Sequence, residues 1–191
     1  MMLFPVVMPL VNVGRKLCGK EKVAYLSEVS RRALAMSARK SGLTLESLAK
    51  DADGVPCPIN GKYWSVSHKP RCVAAVVGRD RVGIDVEEVR PRKQPLFSYV
   101  ASDEEWALAE KTWLMLFRYW TAKEAMLKAF GVGLSGLKSC RVLSVPDESH
   151  ILLNYKGSTV LVEQMKYKDH IIAVTKGNCV VEWLIVEEPM E

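Results

Sequence analysis

The sequence has 191 residues, enough for one large domain or two small halves. Hydrophobic residues make up 49% of it and charged residues 26%, a balance typical of globular proteins that bury a sizeable core. The formal net charge of +5 suits an acidic partner. We expect no nucleic-acid role, because no run of lysines and arginines is interleaved with aromatic residues.

The five cysteines are widely spaced and include no Cys-x-x-Cys pair, which argues against a disulfide framework or a thiolate zinc site. A reducing cytoplasm is the expected location. No apolar run reaches the ~20 residues that a membrane-spanning helix needs, so we expect no membrane partner. The apolar stretch from Leu3 to Val13 lacks a basic leader and contains two prolines, which fits a buried first strand better than a signal peptide.

The first part of the chain changes from helical to strand-like patterns. Apolar residues recur at helical spacing over residues 23–41, and a second short helix is predicted over 44–50. Residues 51–61 are rich in Asp, Gly and Pro and predict a loop. The strand-like stretches that follow suggest an antiparallel hairpin. These stretches are 63–67, 71–77 and 82–89.

A basic, proline-punctuated loop at residues 91–95 predicts the boundary between two halves of the chain, 1–90 and 91–191. Ser102 is a predicted helix N-cap, because three acidic residues follow it. A long helix is predicted from residue 111 to 130, ending at Gly131. The remaining predicted strands are 140–145, 150–155, 158–166, 170–175 and 179–186.

Two carboxylates share one face of the predicted strand 82–89. Side chains at positions i and i+2 of a strand point the same way, so Asp85 and Glu87 lie together while Ile84 and Val86 face the core. Two carboxylates that close repel each other unless a cation or a proton lies between them. The same pair is also typical of a solvated outer face on an edge strand.

A third carboxylate lies on the apolar face of the long helix. At about 100° per residue, Glu124 shares a face with Trp113, Phe117 and Trp120, and the opposite face carries Arg118 and three alanines. A carboxylate facing a core is costly unless it is paired or bound to a metal.

An ordinary ion pair with Lys128, four residues along the helix, would satisfy Glu124. A cation shared with Asp85 and Glu87 would do so too. Such a set of hard oxygen ligands suits Mg²⁺, which also binds phosphate.

Basic and polar residues near these carboxylates could meet phosphate charge. Lys123 and Lys128 flank Glu124, and Ser67 and His68 end a predicted strand. Taken alone, His68 is equally typical of an ordinary surface or core histidine.

Three motifs together resemble the 4′-phosphopantetheinyl transferase family, and its surfactin-synthetase-type class of two-half monomers in particular. The first two are WSVSH at residues 64–68 and VGIDVE at residues 82–87. The third is WTAKEAMLKAFG at residues 120–131, which has the spacing of the W-x-x-K-E-A-x-x-K signature. All three occur in the family's order, and the resemblance extends over residues 54–134.

The resemblance implies an α+β fold of two similar α/β halves, related by a pseudo-twofold axis, with the active site in the cleft between them. Asp85, Glu87 and Glu124 would hold Mg²⁺ against the pyrophosphate of coenzyme A. Glu124 would also help to deprotonate the acceptor serine, and Lys128 would support the phosphate on the side where 3′,5′-ADP leaves.

The resemblance also implies contacts to the co-substrate coenzyme A from Ser67, His68, Lys123 and Lys128. The implied activity is transfer of the phosphopantetheine arm to a serine of an apo acyl or peptidyl carrier protein, of the holo-acyl-carrier-protein synthase type. Carriers of fatty-acid, polyketide and nonribosomal-peptide synthesis all remain open. We expect a monomer, because chains of the trimeric class are much shorter. The alternative is a catalytically degenerate relative that binds coenzyme A or a carrier without turnover.

The chain departs from the family pattern at Val55, where relatives often carry a basic residue, and Lys62 is a candidate replacement. A basic loop just past the acidic strand could face an acidic carrier helix or be an ordinary solvated loop. Its residues are Arg90, Arg92 and Lys93. Candidates for the nucleotide 3′-phosphate are Arg31, Arg32, Arg39 and Lys40.

Overall fold

The computed structural model of the chain describes residues 1–10 and 18–186 and contains both helices and sheets, as the α+β prediction requires. The helices are α1 Gly19–Lys40, α2 Leu96–Val100, α3 Asp103–Trp106 and α4 Trp113–Ala129, with a 3-10 turn at Leu134–Ser139. The strands are β1 Met2–Leu3, β2 Val6–Pro9, β3 Tyr63–Lys69, β4 Cys72–Gly78, β5 Ile84–Glu88, β6 Cys140–Ser144, β7 His150–Tyr155, β8 Ser158–Tyr167, β9 His170–Thr175, β10 Val180–Val181 and β11 Leu184–Ile185.

Most strands belong to two sheets. One sheet has four strands in the order β11-β2-β4-β3, and the other has five in the order β5-β9-β8-β7-β6. Neighbouring strands run antiparallel, apart from the parallel pairing of β11 with β2 and a separate parallel pair of β1 and β10. None of the described helices is long and apolar enough to cross a bilayer.

The elements stack in four layers, with the two sheets face to face and one long helix on each outer side. Val73, Ala75 and Val77 of β4 pack with α1, whereas the alternate residues of β4 face the five-stranded sheet. Ile84 and Val86 of β5 lie in this core between the sheets, as predicted. Helix α4 covers the far face of the five-stranded sheet. Asp85 and Glu87 therefore point toward α4 rather than toward bulk solvent.

The periodic elements agree with the sequence prediction. Helix α1 overlaps the predicted helix 23–41, α4 lies within the predicted helix 111–130, and the strands from β6 to β9 agree with the predicted strands to within one residue. Ser102 caps α3 through a capping box with Glu105. Of the predicted first strand, residues 11–13 lie outside the described part of the chain.

Two local predictions are wrong. Residues 44–50 contain no helix; they lie against the loop 51–61, with Lys62 Nζ donating to the carbonyl oxygen of Thr44 at 2.8 Å. The antiparallel hairpin consists of β3 and β4 alone, because β5 crosses to the other sheet and pairs with β9.

The predicted division at residue 90 does not coincide with the division between the sheets. Strand β5, before that boundary, is an edge strand of the five-stranded sheet. The predicted strand 179–186 is two short strands, and these pair with β1 and β2 at the start of the chain. The two parts of the chain thus exchange strands, and the pseudo-twofold relation of two halves stays a prediction.

Helix α4 is buried on both faces, which corrects the prediction of a single core-facing side. Arg118, Ala122 and Ala125 were expected opposite the core, yet they are buried too. The alanine side packs on the sheet, and the side with Trp113 and Trp120 packs under α2 and its surroundings. Apolar patterning on a helix enclosed in this way does not reveal which face meets the sheet.

Lys123 and Glu105 form a buried ion pair in the part of the protein that contains the five-stranded sheet. Lys123 Nζ lies 2.7 Å from Glu105 Oε1 and donates to the carbonyl oxygen of Val100 at 2.8 Å. The Glu105 carboxylate also accepts from the backbone N–H groups of Ser102 and Val142. Burial alone would raise the pKa of Glu105, but these donors outweigh it and hold the pKa below its usual value.

Gly83 lets α4 approach the start of β5. A Cβ atom at this position would overlap the carbonyl oxygen of Ala125 and lie 2.7 Å from the backbone nitrogen of Ala129. The Gly83 N–H instead donates to Thr175 Oγ1 at 2.9 Å, which ties this residue to the end of β9. Any side chain here would push the helix off the sheet.

Gly83→Ala should destabilise the protein by ~3 kcal/mol, because the added methyl group meets helix backbone that cannot move independently. The free energy of unfolding from urea denaturation checks this. Gly133→Ala is the matched control, since a Cβ atom there meets nothing within 4 Å. Equal stability of the two variants would contradict the close packing at Gly83.

Lys123→Met should cost ~3 kcal/mol of stability, because it leaves Glu105 as a buried charge without its ion-pair partner. Lys138→Met removes the same charge from an exposed position and should change little. Thermal and urea unfolding of both variants provide the comparison. A stable Lys123→Met protein would show that the backbone donors alone satisfy Glu105.

Candidate metal centre and adjoining cleft

Asp85, Glu87 and Glu124 converge on one point between β5 and α4. One carboxylate oxygen from each lies within 4.8 Å of those of the other two. Asp85 and Glu87 are buried, at 2% and 7% exposure, so the solvated edge-strand interpretation of this pair is wrong. Three carboxylates this close, in a site sheltered from water, require positive charge nearby.

Lys128 and Ser67 hold Asp85 in place. Lys128 Nζ and Ser67 Oγ each lie 2.7 Å from Asp85 Oδ1 and donate to it. Lys128 also donates to the carbonyl oxygen of Ile84 at 3.2 Å, on the edge of β5 that pairs with no other strand of its sheet. The predicted ion pair of Lys128 with Glu124 is therefore replaced by one with Asp85.

Asp85 Oδ2 is buried and has no hydrogen-bond partner among the described residues. A buried carboxylate oxygen without a donor is rare, and it indicates a missing ion or water. The neighbouring carboxylates offer only oxygen ligands, which are the ligands that Mg²⁺ prefers. The three side chains thus fit a hard divalent cation in both chemistry and spacing.

Burial and mutual repulsion disturb the protonation of this cluster. Loss of solvent, together with the negative charge of Asp85, raises the pKa of Glu124 from 4.5 to about 7, although Lys128 opposes the shift. Burial also raises the pKa of Glu87, against the opposing effect of Lys69, whose Nζ lies 2.7 Å from Glu87 Oε1. Without a metal, the Glu124 carboxyl group is therefore partly protonated near neutral pH.

A cleft of about 500 Å³ opens beside the cluster, between α1, the loop before β3 and the end of α4. Its basic residues are Arg31, Lys50, His68 and Lys128. Helix α4 ends in a Schellman turn at Gly131, which has φ +66. The end of the helix at this glycine was predicted. The residues that follow the helix, Gly131 to Gly133, line the cleft. The apolar residues of the wall are Val23, Leu26, Leu34, Leu48, Val55, Pro56, Trp64, Val66 and Val132.

Trp64, Lys50 and His68 line this cleft. The Trp64 indole N–H is buried without a hydrogen-bond partner among the described residues, and Lys50 Nζ lies 5.9 Å from the centre of the Trp64 ring. Partial desolvation lowers the pKa of His68, and the charges of Lys128, Lys69 and Lys50 lower it further. The imidazole is therefore neutral at neutral pH and can either donate or accept one hydrogen bond.

A second hollow of about 520 Å³ lies on the other side of Glu87. Lys69, Arg92 and Lys93 supply positive charge at its wall, so two residues of the predicted basic loop reach it. Arg90, the third, forms an ion pair with Glu88 at 3.6 Å. The apolar part of the wall consists of Pro95, Leu96, Tyr99, Phe117 and Trp120.

Two predicted contacts to the co-substrate are corrected. Lys123 is enclosed with Glu105 in the part of the protein that contains the five-stranded sheet, so its ammonium group reaches neither hollow. The Ser67 hydroxyl is buried and donates to Asp85, so this side chain supports the carboxylate cluster instead of facing the cleft. His68 and Lys128 do line the cleft.

Among the basic candidates for the nucleotide phosphate, Arg31 lines the cleft and Lys62 does not. Lys62 is held by Thr44 through both its carbonyl and its hydroxyl oxygen. Lys50 was missed, because it belongs to a stretch that was predicted as a helix. Lys50 and Val55 line the same cleft, so Lys50 brings a positive charge close to the position where a basic residue was expected.

The metal-free protein should lose stability as the pH rises through about 7. Because the Glu124 pKa is raised from 4.5 to about 7, the folded chain keeps a proton that the unfolded chain has released. This contribution is complete below pH 4.5 and amounts to ~3 kcal/mol, lost once the pH exceeds about 7.

Glu124→Gln should remove this loss, and the exposed matched variant Glu110→Gln should keep it. The measurement is urea denaturation in the presence of a chelator at pH ~5 to ~8.5. If the pH dependence were unchanged in Glu124→Gln, the proton that the folded chain keeps would belong to a group other than Glu124.

Comparison with known proteins agrees with this geometry. The profile of the 4′-phosphopantetheinyl transferase superfamily matches residues 81–175, which include Asp85, Glu87, Glu124 and Lys128. Over 97 residues the chain is 32% identical to 4′-phosphopantetheinyl transferase HetI of Nostoc sp. (strain PCC 7120). That similarity covers 47% of this chain and 41% of the relative, so the chain matches less than half of the relative's length.

The matched segment contains strand β5, helix α4 and all three converging carboxylates. The predicted resemblance to the superfamily is thereby confirmed. These matches do not distinguish the two-half monomeric class from other classes of the superfamily. The chain belongs to the 4′-phosphopantetheinyl transferase superfamily.

Proposed function

We propose that the chain is a Mg²⁺-dependent 4′-phosphopantetheinyl transferase. It would move the phosphopantetheine arm of coenzyme A to a serine of an apo acyl or peptidyl carrier protein and release 3′,5′-ADP. The observation that carries the proposal is the set of three carboxylates, within 4.8 Å of one another, beside a cationic cleft. Family membership supplies the reaction class, and this set supplies the residues.

The cleft suits a nucleotide-containing co-substrate. Its volume of about 500 Å³ lies within the range of small-molecule sites, and its wall combines apolar side chains with a few cations. Arg31, Lys50 and His68 line the cleft and are available to phosphate groups. We therefore assign this cleft to coenzyme A.

Asp85, Glu87 and Glu124 would hold Mg²⁺. When bound, the ion would neutralise charge on the diphosphate and orient it, which is the main requirement of phosphoryl-type transfer. Lys128 adds a fixed positive charge on the cleft side of the same cluster, where it can stabilise the leaving phosphate.

Glu124 is suited to receive the proton of the acceptor serine. The serine Oγ would form a bond to the β-phosphorus of coenzyme A while the anhydride P–O bond breaks, and 3′,5′-ADP would leave with the bonding electron pair. A general base must lie within hydrogen-bond reach of the proton that it takes, and Glu124 is the carboxylate of the cluster without a lysine ion-pair partner among the described residues. Lys93 and Arg92, at the second hollow, could attract an acidic carrier helix.

The test is incubation with coenzyme A, Mg²⁺ and a panel of apo carrier proteins, followed by intact-mass measurement. We expect one carrier or more to gain the mass of one phosphopantetheine group. Glu124→Gln should reduce the rate at least ~100-fold, since it removes both a ligand and the base. Glu110→Gln, on the exposed surface, should leave the rate unchanged.

Two results would contradict the proposal. Coenzyme A binding by calorimetry without transfer to any carrier would favour a degenerate relative that binds without turnover. Full activity of Glu124→Gln, with normal folding, would show that the carboxylate cluster does not hold the catalytic metal.

A further inference from the structure

The two strand carboxylates of the cluster each carry their own ammonium group. Lys128 approaches Asp85 from the cleft side, and Lys69 approaches Glu87 from the second hollow, each at 2.7 Å. Glu124 has no such ion-pair partner among the described residues. Three carboxyl groups therefore face two ammonium groups that belong to the protein itself.

The two lysines differ in how firmly they are held. Lys128 bridges two acceptors, Asp85 Oδ1 and the carbonyl oxygen of Ile84, from the last turn of α4. Lys69 ends strand β3, and within the described residues it forms an ion pair with Glu87 alone. Its side chain is 33% exposed. Its long side chain can leave Glu87 and turn into the hollow at little cost.

We propose that Lys69 is an internal counter-ion that stands in for part of the metal charge at Glu87 and leaves when a divalent cation binds. This inference rests on the proposed metal site. A cation entering between the three carboxylates meets the repulsion of Lys69 a few ångströms away. Lys69 thus weakens binding of the metal alone.

The diphosphate of the co-substrate changes this balance. Its negative charge attracts the metal and offsets the repulsion from Lys69, so the metal binds more tightly once the cleft is filled. Binding of metal and of coenzyme A is then coupled, and by thermodynamic reciprocity each strengthens the other equally. Lys69 acts as a positioning residue that makes the site selective for the metal together with the diphosphate.

Mn²⁺ titration followed by electron paramagnetic resonance of the free ion tests the proposal without any transfer reaction. Wild type, Lys69→Gln and the matched variant Lys93→Gln are compared with and without coenzyme A. Lys93 lines the same hollow but has no ion pair with the cluster, so its removal controls for overall charge. We expect Lys69→Gln to bind Mn²⁺ alone about tenfold more tightly than wild type, and Lys93→Gln to change binding less than about twofold.

Coenzyme A should raise Mn²⁺ affinity more in wild type than in Lys69→Gln. If Lys69→Gln bound Mn²⁺ as tightly as wild type or more weakly, the proposal would be overturned, because Lys69 would then only fix the orientation of the Glu87 side chain. Absence of Mn²⁺ binding by all three proteins, with or without coenzyme A, would instead overturn the metal site itself and this inference with it.

Discussion

The close contact between α4 and the start of β5 at Gly83 is the constraint on which the site depends. Because Gly83 has no side chain, the backbone of the helix at Ala125 lies directly against the strand. The residue before Ala125 is Glu124, and the second residue after Gly83 is Asp85. A helix held farther from the sheet would separate these carboxylates and leave Lys128 short of both Asp85 and the free edge of β5.

The position of β5 at a sheet edge is what leaves the site open. An edge strand has backbone groups without strand partners, and here side chains satisfy them: the Ile84 N–H donates to Ser65 Oγ, and the Ile84 carbonyl accepts from Lys128. A side chain of β3 and one of α4 therefore take the place of another strand. Polar groups and a cleft reach the carboxylates there, whereas an interior strand would have buried them completely.

Short-range patterns in the sequence predicted most of the helices and strands and identified the three carboxylates that converge in the structure. Alternation along β5 correctly separated Ile84 and Val86 from Asp85 and Glu87. It could not identify the strand that pairs with β5, because β9 lies more than 80 residues later and pairing over such distances leaves no local signal. For the same reason, the strand predicted over residues 179–186 gave no sign that it pairs with the start of the chain.

Adjacent residues of one motif can serve different purposes on an enclosed helix. Lys123 and Glu124 differ by about 100° in direction, so one reaches Glu105 inside the protein while the other reaches the carboxylates of β5. Sequence alone suggested a phosphate contact for both flanking lysines, because it contained no sign that Glu105 lies beside Lys123. Lys123 instead braces the capped start of α3 against α4. The Lys-Glu pair of the motif therefore couples the stability of the helix packing to the placement of the predicted metal ligand.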